Sequence, residues 1–352
     1  MRHLPAVSQT SLHELIRRYV PTRRFGRVSF DSYVPDDAYA SQRAALEGLE
    51  RFASDINGTK RRRLWFRRRS DTRGPRAIYL DGGYGVGKTH LLAATYHAVH
   101  GKRAYLSFAE LAYTISRMGM HETLSAFRQL CLLCIDEFEL DDVAQTRMAA
   151  TFLRGLLTGN TRVVTTSNTL PGDLGQGRFA AEAFQRDIGE IASAFEVVTI
   201  DGQDYRHRLW TDLGTSEVQS QESLREAFEA DATDEKVMLH WPDLATELEA
   251  VHPVHYAQIA AKLDALYVDS LECIDDQAVA LRLVHFVDKL YDQEVRLTLS
   301  TRNALPLGEI FAESYRHGGY EKKYRRCLSR LHELVSETNA ARSSKIRSGR
   351  AS

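Results

Sequence analysis

The chain has 352 residues, enough for two domains or one large elaborated one, and its 43% apolar content is ordinary for a protein with a real core. A formal net charge of −1 gives no global field to draw it onto nucleic acid. Met1 to Val20 lacks the apolar centre of a secretory signal, and no stretch approaches the roughly 20 apolar residues of a bilayer span; the four cysteines read as reduced thiols of a cytosolic protein.

Residues 1 to about 30 read as an amphipathic lead-in, with Leu12, Leu15 and Ile16 on one face, and Ala38 to Ala53 as a second helix. Then comes KRRRLWFRRR, in which Lys60, Arg61, Arg62, Arg63, Arg67, Arg68 and Arg69 surround Trp65 and Phe66. Two readings stand: contact with an anionic partner such as a membrane surface, or a solvated loop between helix and strand.

Ala77-Ile78-Tyr79-Leu80 is a short apolar run, readable as a strand, and His90 to His100 carries apolar residues at helical spacing. Between them Gly82-Gly83-Tyr84-Gly85-Val86-Gly87-Lys88-Thr89 fits G-x-x-x-x-G-K-[ST], the phosphate-binding loop of nucleoside triphosphatases. Glycines let the backbone curl so that several N–H groups face one anion. Lys88 brings a point charge to the β- and γ-phosphates, the Thr89 hydroxyl can ligate Mg²⁺, and the helix opening at Thr89 and His90 turns its positive end to the same place. Strand, glycine loop and helix occur in the required order.

Further strands are expected at 104–107, 130–135, 162–166 and 196–200, with helices between, which is the pattern of a parallel sheet with crossovers. Cys131 and Cys134 lie in one of these strands, where residues three apart point to opposite faces and cannot share a metal. That strand ends in Asp136-Glu137. The first acid is placed to hold Mg²⁺ and the second to polarise the water that attacks the γ-phosphate of ATP. Val163-Val164-Thr165-Thr166-Ser167-Asn168 ends in a polar residue that can sense the γ-phosphate; Asn168 is favoured over Thr166 and Ser167. Together these pieces predict an α/β P-loop NTPase of the additional-strand class. Its acid strand is separated from the loop strand, and an arginine (Arg178, Arg186, Arg326 or Arg330) answers the charge on the γ-phosphate.

The expected division is a lead-in and basic loop at 1–70, the ATPase core at 71–210, an acidic linker or lid at 211–250, a C-terminal α/β and helical part at 251–338, and a disordered tail at 339–352. Leu266-Tyr267-Val268-Asp269 is like Leu133-Cys134-Ile135-Asp136, and Asp136 to Ser167 spans the same distance as Asp269 to Ser300. Either a strand–helix–strand unit is duplicated without its phosphate loop, or one parallel crossover simply looks like another.

Beyond the nucleotide motifs, the chain resembles the ZapE cell-division ATPases and their mitochondrial AFG-like relatives. The resemblance is carried by LDGGYGVGKTHLL, CLLCIDEFELDDVAQTRMAATFLRGLL, VVTTSNTLPGDL, VVTIDGQDYRHR, ALRLVHFVDKLYDQEVRLTLS and YRRCLSRLHEL, over most of residues 20 to 335. It implies an AAA+-like fold and ATP hydrolysis coupled to work on other proteins. In bacterial members that means the division-ring polymer FtsZ near the inner membrane face. Residue by residue, it implies ATP on Gly82, Gly87, Lys88 and Thr89, the metal and water on Asp136 and Glu137, Asn168 as sensor, and Arg326 and Arg330 as trans or sensor arginines, the trans role requiring a homo-oligomer. The chain departs from the family at Ala180-Ala181, where an arginine is usual, and within 235–255, where only Trp241 and Asp243 remain of an aromatic–acid segment. The alternative is a DNA-replication initiator or helicase-loader ATPase, supported by the basic run and opposed by the neutral charge and the lack of a DNA-binding module.

Overall fold

The computed structural model describes residues 3–6, 11–62, 75–83, 85–138, 140, 143–168, 185–203, 218–315 and 320–349. The chain divides into two units, one of residues 10–21 and 25–208, the other of 1–9, 22–24 and 209–352.

In the first unit α1 (Leu12–Arg18) and α2 (Ala40–Arg62) precede β1 (Ala77–Gly82), α3 (Lys88–Ala98), β2 (Arg103–Ser107), α4 (Phe108–Met118) and α5 (Met120–Phe127). Then follow β3 (Leu132–Asp136), α6 (Val143–Leu157), β4 (Arg162–Thr166), α7 (Gln185–Ala194) and β5 (Glu196–Ile200). The strands form one parallel sheet in the order β2-β3-β4-β1-β5. β4 therefore lies between β1 and the acid strand β3, which is the additional-strand arrangement expected above. The strands are short apolar runs because both faces are covered. Alternate residues go opposite ways: Leu132, Cys134 and Val164 pack with Leu91 and Leu92 of α3, while Leu133, Ile135 and Val163 pack with Phe152 and Leu156 of α6. All four cysteines are unpaired, and burial pushes the Cys134 thiol well up. Ser107 closes β2 and caps α4 in the same stroke; its hydroxyl accepts from the Glu110 N–H while the Glu110 carboxylate takes the Ser107 N–H at 2.7 Å.

In the second unit α8 (Gln221–Ala230), β6 (Lys236–His240), α9 (Trp241–Ala250), α10 (Tyr256–Ala260), β7 (Ala265–Leu271), α11 (Gln277–Asp292), β8 (Arg296–Thr301) and α12 (Glu321–Gly349) surround a parallel sheet in the order β6-β7-β8. Three expectations are corrected here. The stretch assigned as an acidic linker or lid, 211–250, is regular structure from α8 onward: Leu224, Val237, Leu239, Trp241 and Leu244 are core residues. The tail from 339 is a continuation of α12 to Gly349. The N-terminal 1–70 is not one segment. Arg23 and Arg24 belong to the second unit, where the Arg23 guanidinium donates to the Ala261 carbonyl at 2.8 Å and that of Arg24 lies 3.7 Å over the Tyr291 ring.

Lys60, Arg61 and Arg62 end α2, whereas Arg63, Arg67, Arg68 and Arg69 lie outside the described residues. Among the described residues, no helix is long and apolar enough to cross a membrane.

Candidate active site

The glycine loop curls because glycine alone fits two of its bends. Gly82 has φ +149°, and a Cβ on it would lie 2.3 Å from the Ile200 carbonyl oxygen of β5. Gly87 has φ +90°, and a Cβ there would lie 2.5 Å from Cε2 of Tyr33. Gly87 is also the residue before α3, so the helix opens with no side-chain cap. Its first N–H groups and its positive end are thus left for an anion, the general property of helix starts that phosphate sites use.

Around this loop three strand ends bring their side chains together. The buried Lys88 ammonium donates to the carbonyls of Gly82 and Gly83 at 2.6 Å each and to Oδ1 of Asn168 at 2.9 Å. Asn168 follows β4, so the expected sensor and the loop lysine are neighbours. Thr89 donates its hydroxyl to Oδ1 of Asp136 at 3.3 Å, placing beside the loop a hydroxyl and a carboxylate, the hard oxygen donors that Mg²⁺ takes. Asp136 is oriented by two further hydroxyls. Tyr105 donates to its Oδ2 at 2.7 Å, and Thr166 donates to its Oδ1. Thr166 also accepts the backbone N–H of Glu137 at 3.0 Å. This holds Glu137 at φ +51°, a left-handed conformation rare outside glycine, with its residue exposed at the strand end.

A short N-terminal segment braces the loop. Tyr33 donates its hydroxyl to the Val86 carbonyl at 3.1 Å and packs edge-on to His90 at 5.6 Å. Nε2 of His90 lies 2.9 Å from the Ser32 hydroxyl and 3.2 Å from the Ser29 carbonyl. His90, expected to face the nucleotide, is therefore engaged with this segment, and burial holds its imidazole below the usual histidine range. Gln42 ties the same region to β5's far end, accepting the Asp36 N–H at 2.8 Å and donating to the Asp201 carbonyl at 2.9 Å.

Other expected residues fall elsewhere. Arg326 and Arg330 stand on α12 of the second unit and both ion-pair with the buried Asp288 of α11, Arg326 at 2.7 Å. Burial pushes the Asp288 carboxyl up, but Arg330, Arg326 and Lys289 outweigh it and hold it below the usual carboxylate range. The two guanidiniums thus have a structural task in their own unit. Trp241 is a core residue, and Tyr84, Arg178 and the Arg186 side chain lie outside the described residues. Sequence reading passed over Tyr33 and Tyr105, whose roles depend on contacts 53 and 31 positions away. It named Thr166 only as a lesser sensor.

A curled glycine loop at an uncapped helix start, a lysine and a sensor amide, and an acid strand one strand removed define a P-loop ATPase. The profile of the AFG1-like ATPases matches residues 19–236 and 207–343. The chain belongs to the AFG1-like ATPase family. Cell division protein ZapE of Escherichia coli K12 is 24% identical over 87% of this chain and 93% of its own. Lactation elevated protein 1 homolog B of Danio rerio is 24% identical over 64% of this chain and 55% of its own. Among solved structures, DnaI aligns with a TM-score of 0.40 at 19% identity, over 52% of this chain and 92% of that one.

Proposed function

We propose that this protein hydrolyses ATP in a Mg²⁺-dependent reaction and couples turnover to remodelling of a protein partner. The observation that carries this reading is the meeting of Lys88, Asn168, Thr89 and Asp136 at one curled loop. Lys88 moves its charge from loop carbonyls to the β- and γ-phosphates, and the N–H groups of the loop and of α3 hold their oxygens. Thr89 and Asp136 would hold Mg²⁺, which would neutralise phosphate charge. Glu137, next to the oriented Asp136, accepts a proton from the attacking water, and the Asn168 amide positions that water or the γ-phosphate.

The likeness to ZapE supports a division-ring partner, FtsZ or a protein bound to it, and a cytoplasmic site of action. The run Lys60 to Arg69 supports peripheral contact with the anionic inner membrane face. Lys88→Ala is expected to abolish ATP binding in calorimetry, whereas Glu137→Gln binds ATP and stalls phosphate release. Wild-type turnover by Glu137→Gln removes the catalytic assignment. Co-sedimentation of Glu137→Gln with FtsZ polymers in ATP but not ADP tests the partner, and equal pelleting in both nucleotides refutes coupling.

A further inference from the structure

From the segment at Gln219 to β8, the second unit repeats the course of the first from β1 to β4. The segment at Gln219 bridges in parallel to Ser300 of β8, so the second sheet reads β6-β7-β8-219, as the first reads β2-β3-β4-β1. After the first segment each runs through a helix (α3, α8), an outer strand (β2, β6) that enters the next helix without a loop (α4, α9), then strand, helix and strand (β3-α6-β4, β7-α11-β8). Arg103 and Lys236, Leu132 and Ala265, and Asp136 and Asp269 are each 133 positions apart. The faces agree as well. Leu132 and Cys134 face α3 beside Leu91, and their counterparts Ala265 and Tyr267 face α8 beside Leu224; Leu133 and Ile135 face the opposite way, as do Leu266 and Val268.

The acid corner is repeated atom for atom. Ser300 donates to Oδ1 of Asp269 at 2.7 Å and accepts the Ser270 N–H at 2.8 Å, and Ser270 has φ +59°. Thr166 does the same for Asp136 and for the N–H of Glu137, at φ +51°. These bonds make Thr166 the counterpart of Ser300, one position before the Ser167 that spacing suggests.

The chemistry is not repeated. Gln219 pairs with Ser300 as Leu80 pairs with Thr166, yet α8 opens at Gln221 directly after Ser220, whereas α3 opens at Lys88 only after the glycine loop. Ser220 is extended at φ −67°, so the curl made by Gly87 is absent there. Gln221, which opens α8 as Lys88 opens α3, donates its amide to Ser270, which is in the place of Glu137. We infer that residues 218–301 are a second ATPase core that keeps the fold and the hydroxyl–carboxylate corner but neither binds nor hydrolyses nucleotide. Asp269 there serves as an internal latch rather than a metal ligand.

Two arms test this on the full chain. Titration with a fluorescent ATP analogue is expected to give one site, absent in Lys88→Ala. Two sites, or binding in Lys88→Ala that Asp269→Asn removes, overturns the inference. This arm rests on the proposed nucleotide loop, and a wild-type chain that binds none defeats that reading instead. The second arm does not depend on it. Ser300→Thr and Ser300→Val are isosteric and differ only in the hydroxyl, which Thr166 supplies in the first core. The threonine variant is expected to melt several degrees above the valine one; equal melting temperatures overturn the latch.

Discussion

Arg326 and Arg330 provide the sharpest test, because structure and family resemblance give them different tasks. Arg330 and Asp288 have side chains 11% and 9% exposed, and Arg326 stays on the same carboxylate. Removing one partner of a buried pair costs about 3–5 kcal/mol, and the lower end applies to Arg330→Leu because Arg326 still neutralises Asp288. The guanidinium also lies 5.0 Å over the Tyr291 ring, whose hydroxyl donates to Glu333 at 2.9 Å, so the loss reaches the packing of α11 on α12. At roughly 2–4 °C per kcal/mol, calorimetry is expected to show a fall of about 6–12 °C. Replacing Arg326, Asp288 and Arg330 together by Met, Leu and Met removes the whole triad and leaves no charge orphaned. Such replacement is often neutral or stabilising. The triple variant is therefore expected to regain most of the melting temperature and to release phosphate at a rate within about twofold of wild type, whereas a lost arginine finger costs about 10³–10⁵-fold. A triple variant that melts like wild type yet loses about 10³-fold in turnover refutes the structural assignment and restores both residues to the reaction.

Two further outcomes follow from the loop and from buried histidines. Gly87→Ala is expected to melt lower and to lose ATP affinity, since a left-handed backbone costs about 1–2 kcal/mol for an L side chain and Tyr33 stands in the way; Gly83→Ala, with nothing within 4 Å, is expected to keep its melting temperature. Equal melting of the two variants would discount the brace. His90, His285 and His332 are all held below the usual histidine range, chiefly by burial. Below about pH 6.5 the unfolded chain binds more protons at these positions than the folded one, so stability falls with pH. The melting temperature at pH 5.5 is expected below that at 7.5, and a flat profile contradicts it.

The nucleotide half was legible because its signals are local. A buried parallel strand shows as a short apolar run, and a glycine loop needs its spacing within eight residues. All five strands of the first sheet fell within two residues of their expected ends. The second half hid for equally physical reasons. α8 buries only Leu224 and Ala227 among ten residues, and the edge strand β6 buries alternate positions, so 218–250 has the composition of a linker while folding as a sheet margin. α12 buries Tyr324, Cys327, Leu331, Leu334, Val335 and Thr338 early, and then continues through small polar residues that look like a tail. Tyr33, Tyr105 and Asp288 act through partners that no local pattern announces.

The two acid corners also bear on what backbone strain at the site means. Glu137 at φ +51° beside a phosphate loop invites the view that its conformation is stored for catalysis, since strained residues gather at active sites. Ser270 holds the same conformation, on the same hydroxyl bond, where lysine, loop glycines and glutamate are all missing. The bend therefore goes with a strand aspartate that a neighbouring strand's hydroxyl clamps, whether the strand stops there, as β3 does, or resumes its pairing at Leu271 after a register shift, as β7 does. On the proposed mechanism, catalytic capacity in the first half lies in which side chains stand on that common frame: replacing Glu137 alone is expected to remove the base and leave the bend.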